Sequence, residues 1–181
     1  MVSNDRRRGV FPGSFNPLTL AHLEIARQAR AAHALDEVSL VVSSVALDKP
    51  TPPGPPLERR IELIEADIIA EPWLRVEITE LQLIVDIAAG YDVVIMGADK
   101  WHQVNDARYY GSPTERDDAL ARLPQVVVAP RAGSTAPGEL RLETDPAIHD
   151  VSSTSARNGR RDLMAPRAAE LWTDGEDVDR G

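Results

Sequence analysis

Two rhythms alternate along the chain. Short apolar runs at Gly9 to Phe11, Val38 to Val42, Leu74 to Ile78, Asp92 to Met96 and Gln125 to Ala129 have the length and β-branched content of strands, and the last two are apolar enough for burial on both faces. Between them, starting near Leu18, from Leu57 to Ala70 and from Glu115 to Leu123, apolar residues return at helical spacing; Pro166 to Trp172 predicts a further short helix. Strands alternating with helices predict an α/β fold with a Rossmann-like, doubly wound, mostly parallel sheet. In such a sheet the ligand crevice lies beyond the carboxyl ends of the strands, where the strand order reverses, and the first strand is expected at that point.

The turn after the first strand carries the first chemistry. Pro12 and Gly13 break the strand, Gly13 can take a positive φ, and Asn16-Pro17 offers an N-cap followed by proline at the first helical position. Thr19 and His22 then share one face of the first helical turn, where free backbone N–H groups and the positive end of the dipole favour a phosphate. A second helix start follows much later: in Asp150 to Arg157, Ser153 and Thr154 can cap, and Arg157, one turn on, presents a fork that suits phosphate oxygens. Gly97 closes the fourth strand where backbone can approach a ligand, and the carboxylate of Asp99 can accept from ribose hydroxyls. Asp48 to Pro56 holds five of the 14 prolines, so a stiff, irregular loop carrying Lys49 is expected to leave the second strand and border the crevice.

Composition narrows the classes. A chain of 181 residues suffices for one domain with a proper core; we expect it over 1–173, followed by an acidic, disordered tail over 174–181. No apolar run approaches the roughly 18 residues of a membrane span, and no secretory signal opens the chain. The absence of cysteine rules out disulfide and thiolate chemistry and fits a cytoplasmic protein. A formal net charge of −9 weighs against nucleic acid as a partner, because phosphate-backbone binding needs a basic face.

Ser14-Phe-Asn-Pro followed by Thr19-Leu-Ala-His22 resembles the (H/T)xGH signature of the nucleotidyltransferase superfamily, and Val151-Ser-Ser-Thr-Ser-Ala-Arg157 resembles its (I/V)SSTxxR signature. The motifs stand in the family's order at opposite ends of one α/β domain, with Ala21 where the family has glycine. Ile95-Met-Gly-Ala-Asp99 is similar to the Gly-x-Asp that pyridine-nucleotide adenylyltransferases set against adenosine. The resemblance implies an enzyme that moves the adenylyl group of ATP to a small phosphorylated acceptor, foremost nicotinate mononucleotide, and releases pyrophosphate. It implies that Thr19, His22, Lys49 and Arg157 act on the phosphates and the leaving group. Pro12, Gly13, Ser14, Phe15, Gly97, Asp99, Ser153 and Thr154 would bind the nucleotide, and Trp101, Tyr109 and Arg59 the acceptor, with Tyr110 and Arg60 as neighbours in the same roles. Mg²⁺ would arrive with ATP, and no metal cage of protein side chains is expected. Phosphopantetheine or a cytidylyl transfer are the rival chemistries, a nucleotide-binding relative with little turnover is the rival class, and a homo-oligomer is left open.

Overall fold

The computed structural model describes residues 6–45 and 54–172. Lys49 and the tail at 174–181 lie outside the described residues. Five parallel strands form one sheet: β1 (Arg8–Pro12), β2 (Glu37–Ser43), β3 (Leu74–Thr79), β4 (Val93–Gly97) and β5 (Gln125–Ala129), in the order β3-β2-β1-β4-β5. The sheet is thus parallel throughout. After β3 the chain crosses back over β1 to start β4, so the order reverses between β1 and β4, and β1 ends at the crevice as its position in sequence predicts.

The apolar runs are continuous because both sheet faces are covered. Phe11, Leu40, Ile95 and Val127 point into one cluster with α1 (Leu20–His33), α2 (Leu57–Ile68) and α7 (Pro166–Leu171). Their chain neighbours Val10, Val41, Val94, Met96 and Val128 point into the other, packed by α3 (Ile84–Ile87), α4 (Ala98–Val104) and α5 (Pro113–Leu120). Helix α5 starts ahead of the expected Glu115 because Ser112 caps it, its hydroxyl accepting from the Glu115 N–H, and Pro113 fills the first position, where a missing N–H costs nothing. The short helices α3 and α4 are too brief to show a period in sequence. Among the described residues no helix is long and apolar enough to cross a membrane.

The start of α1 differs from the sequence expectation. Thr19, not Asn16, is the N-cap: its hydroxyl accepts from the His22 N–H while His22 Nδ1 accepts from the Thr19 N–H at 3.1 Å, a reciprocal pair that satisfies two backbone donors. Pro17 therefore precedes the helix. The residue with positive φ is Phe15 (φ 41°), not Gly13. Gly13 is needed for another reason: a Cβ there would meet the Phe15 ring at 2.7 Å.

Candidate functional site

Four segments meet beyond the carboxyl ends of β1, β4 and β5. The first is the turn from Pro12 to Thr19, anchored where the Gly13 N–H donates to the Val41 carbonyl at 3.0 Å. Within it Phe15 turns inward and is 2% exposed, so of the turn's residues Ser14 is exposed at the rim while Phe15 forms the floor. His22 packs edge-on against Phe15 (5.1 Å between ring centroids) and Phe11 (6.0 Å). Burial first, and the positive charge of Arg131 second, bring its pKa from 6.5 down to about 3. With Nδ1 accepting from the backbone, the proton of this neutral ring sits on Nε2, and the free face of His22 is a hydrogen-bond donor without charge. Ala21 is wholly buried, so its methyl group does not stand free in the crevice.

The second segment is α6 (Ser153–Arg157), which the structure brings against that turn. The Ser153 hydroxyl donates to the Pro17 carbonyl at 2.7 Å, and the Arg157 guanidinium donates to the Asn16 carbonyl. Ser152, rather than Ser153 or Thr154, caps α6, in a reciprocal pair with Ser155, because its extended backbone turns the hydroxyl onto the Ser155 N–H at 3.0 Å. Capping thus leaves the Thr154 hydroxyl exposed beside Arg157, whose Nη2 lies 3.4 Å from it. Behind this pair Met164 bridges to Thr19 and the Ala165 N–H donates to the Leu18 carbonyl at 2.9 Å, which fixes the C-terminal segment against the turn.

The third segment is the end of β4. Gly97 caps α4, and Asp99 stands exposed in its first turn; a Cβ on Gly97 would meet the Asp99 carboxylate at 2.6 Å. The fourth is the end of β5, which brings in Arg131, a residue that sequence reading passed over. Its Nη1 donates to the Val151 carbonyl at 2.7 Å and its Nε lies 3.6 Å from Asp99 Oδ1, so it ties β4, β5 and the approach to α6 together. Its place two residues past the end of β5 matches that of Asp99 past β4, but only the adjacency of β4 and β5 brings the two together.

The remaining sequence candidates separate. Arg59 stays on the outer face of α2 in an ion pair with Glu62, while Arg60 turns inward and donates to the Ser14 carbonyl at 3.2 Å, so the arginine at the crevice is Arg60. Burial lowers the pKa of both Arg60 and Arg157 below the ordinary guanidinium value, a sign that two cations have lost water next to the turn and gain from an anion there. Trp101 and Tyr110 pack on the second core cluster, and the Tyr110 hydroxyl donates to the Val104 carbonyl at 2.9 Å. Tyr109 lies under the Arg108 guanidinium, 5.3 Å from its ring centre. Trp101 and Tyr109 are half-buried in the stretch that follows β4.

The pKa of His22 has a consequence for stability. The unfolded chain protonates this imidazole below pH 6.5 and the folded protein resists until about pH 3, so the stability it contributes is complete above 6.5 and is lost as pH falls through that window. At about 1.4 kcal/mol per pH unit, roughly 2 kcal/mol is expected to be gone by pH 5. Urea unfolding at pH 7 and 5 measures it: His22→Asn, which does not titrate, should lose less over this interval than the wild type, and equal losses would refute the assignment.

A family model described as cytidylyltransferase-like matches residues 10–159, which take in all four segments. A probable nicotinate-nucleotide adenylyltransferase of Gluconobacter oxydans is 29% identical, over 92% of this chain and 86% of that protein. A protein of the same description from Citrifermentans bemidjiense is 27% identical over 71% of this chain and 62% of its own length. A phosphopantetheine adenylyltransferase of Phocaeicola vulgatus is 26% identical, over 83% of this chain and 86% of that protein.

Proposed function

The chain belongs to the cytidylyltransferase-like family of nucleotidyltransferases, and from that premise we propose that it transfers the adenylyl group of ATP to the phosphate of a mononucleotide, nicotinate mononucleotide before all others. The observation that carries the reading is the junction of the β1–α1 turn with α6, where Ser153 and Arg157 hold the Pro17 and Asn16 carbonyls and the Thr154 hydroxyl stands beside Arg157, with His22 in the first turn of α1. An acceptor phosphate oxygen attacks the α-phosphorus of ATP, the bond from that phosphorus to the β-phosphate bridging oxygen breaks, and pyrophosphate leaves with the electron pair. A phosphate monoester is already anionic, so no protein base or nucleophile is needed; positioning and charge neutralisation supply the catalysis.

In this reading the Nε2–H of His22 donates to the phosphate chain, and Arg157, released from the Asn16 carbonyl, turns its fork to the departing pyrophosphate with Thr154 beside it. Ser153 holds the turn rather than the ligand. Asp99 takes the ribose hydroxyls and Arg131 fixes its carboxylate, while Arg60 supplies a desolvated cation at the rim near Ser14. Lys49 keeps its proposed place on the leaving group. Among the described residues no three His, Cys, Asp or Glu side chains gather as a metal cage. A Mg²⁺ that entered with ATP would be carried by triphosphate oxygens and water and would supply neutralisation of the phosphate charge.

The relatives divide between two acceptors, and the pyridine nucleotide is favoured by Gly97-Ala-Asp99 after β4. Pyrophosphate release decides it. With ATP and Mg²⁺ we expect turnover on nicotinate mononucleotide to exceed that on phosphopantetheine, with nicotinamide mononucleotide assayed beside them. Preference for CTP, or turnover confined to phosphopantetheine, would replace the proposal.

A further inference from the structure

The two edges of the sheet are treated differently. Along β5 the edge is covered, with the Leu142 N–H donating to the Val128 carbonyl at 2.8 Å and Arg141 bridging to Val128. Along β3, among the described residues, nothing pairs with the outer edge. Strands left at an edge are commonly protected by proline, lysine or a cover. The sequence Leu74-Arg-Val-Glu-Ile-Thr79 has neither residue, and exposed apolar side chains flank it: Ile78 is 53% exposed, Leu81 48% and Ile69, at the end of α2, 85%. Ile68 and Ile69 border a groove against Leu74 and Val76 along this edge.

Backbone register shows what the edge offers. The Val38 N–H donates to the Trp73 carbonyl and the Ser44 N–H to the Thr79 carbonyl, so the odd-numbered residues of this stretch face β2. Alternation therefore turns the N–H and C=O groups of Val76 and Ile78, and the carbonyl of Leu74, outward. The side chains are self-complementary about Val76, with the cation Arg75 on one side and the anion Glu77 on the other, flanked by Leu74 and Ile78.

We propose that the outer edge of β3 is a homodimer interface, in which a second copy of this chain adds its own β3 antiparallel about a two-fold axis at Val76. In that register Val76 faces Val76 of the second copy as a hydrogen-bonded pair, and Ile78 N–H groups reach the Leu74 carbonyls across the axis. Each Arg75 then stands directly opposite a Glu77 in the closer, non-hydrogen-bonded pairs, and Leu74 opposite Ile78, all on matching faces. A two-fold interface must be self-complementary, and this strand is so in backbone, charge and apolarity at a single register. Within its own chain Arg75 donates through Nε to Glu37, and Glu77 accepts from the hydroxyls of Ser39 and Tyr91; the remaining guanidinium N–H groups and the carboxylate lone pairs that these bonds leave serve the pairs across the axis.

Sedimentation or light scattering over a concentration series tests this on the full chain. The wild type should reach twice its 19.8 kDa chain mass, and Val76→Pro, which removes an outward N–H that β2 does not use, should stay at the chain mass. Arg75→Glu and Glu77→Arg separately should each raise the dimer Kd by on the order of tenfold or more, because like charges then face each other twice. Mixed in equal amounts, these two variants should recover dimers, since every 75–77 pair across the axis is then of opposite sign. A wild type that stays monomeric, a dimer unchanged by Val76→Pro, or a mixture no more dimeric than its parts would overturn the proposal. Should Val76→Pro fail to fold by circular dichroism, the mixture decides alone, and a stability defect in either variant would not be repaired by mixing.

Discussion

His22→Ala is expected to lower kcat by a factor on the order of 10²–10³, the usual consequence of removing one preorganised donor to charge that develops in the transition state. The donor is specific: Nδ1 is occupied by the Thr19 N–H, so Nε2 carries the ring's proton, and the ring's pKa of about 3 keeps it neutral across the physiological range. Activity should accordingly show no titration of this histidine between pH 6 and 8. The substitution also strands the Thr19 N–H, in a residue with no exposure, and removes a ring packed on Phe11 and Phe15, so a stability loss of about 1–3 kcal/mol should accompany it. Pyrophosphate release at saturating ATP, on protein shown to be folded by thermal melting at the assay temperature, separates the two effects. Full activity in a folded His22→Ala protein would assign the histidine to the helix cap alone.

Arg157→Ala is the second large effect, with kcat expected to fall by on the order of 10² because the charge of the leaving pyrophosphate grows as the bond breaks. The guanidinium is half-buried against the turn, and its bond to the Asn16 carbonyl holds it ready; among the described residues no carboxylate pairs with it. Losing that bond should reduce stability by only about 1 kcal/mol. Arg157→Lys should recover a minor part of the rate, since an ammonium keeps the charge and loses the fork. Steady-state kinetics discriminate the role: a rise in KM for ATP at unchanged kcat would show that Arg157 binds the ground state and transition state alike, and would remove it from the leaving group.

The sequence by itself determined the strands, the wound α/β order and two of the helix starts, because each depends on chain neighbours: burial on two faces writes continuous apolar runs, and helix starts write hydroxyls. It also located Thr19, His22 and Arg157 at two helix starts that the fold then joins. Tertiary structure decided the rest. Thr19 instead of Asn16 caps α1 because the His22 ring, wedged on Phe11 and Phe15, returns a bond to the Thr19 backbone. Phe15 rather than Gly13 takes the positive φ, since its ring must reach the core across Gly13. Arg59 and Arg60 are adjacent and chemically identical, yet about 100° of helical rotation, fixed by how α2 packs on the sheet, sends one to solvent and the other to Ser14. Arg131 enters only because β5 lies beside β4 and its end therefore stands next to Asp99. These choices rest on contacts between residues far apart in the chain, which no local pattern encodes.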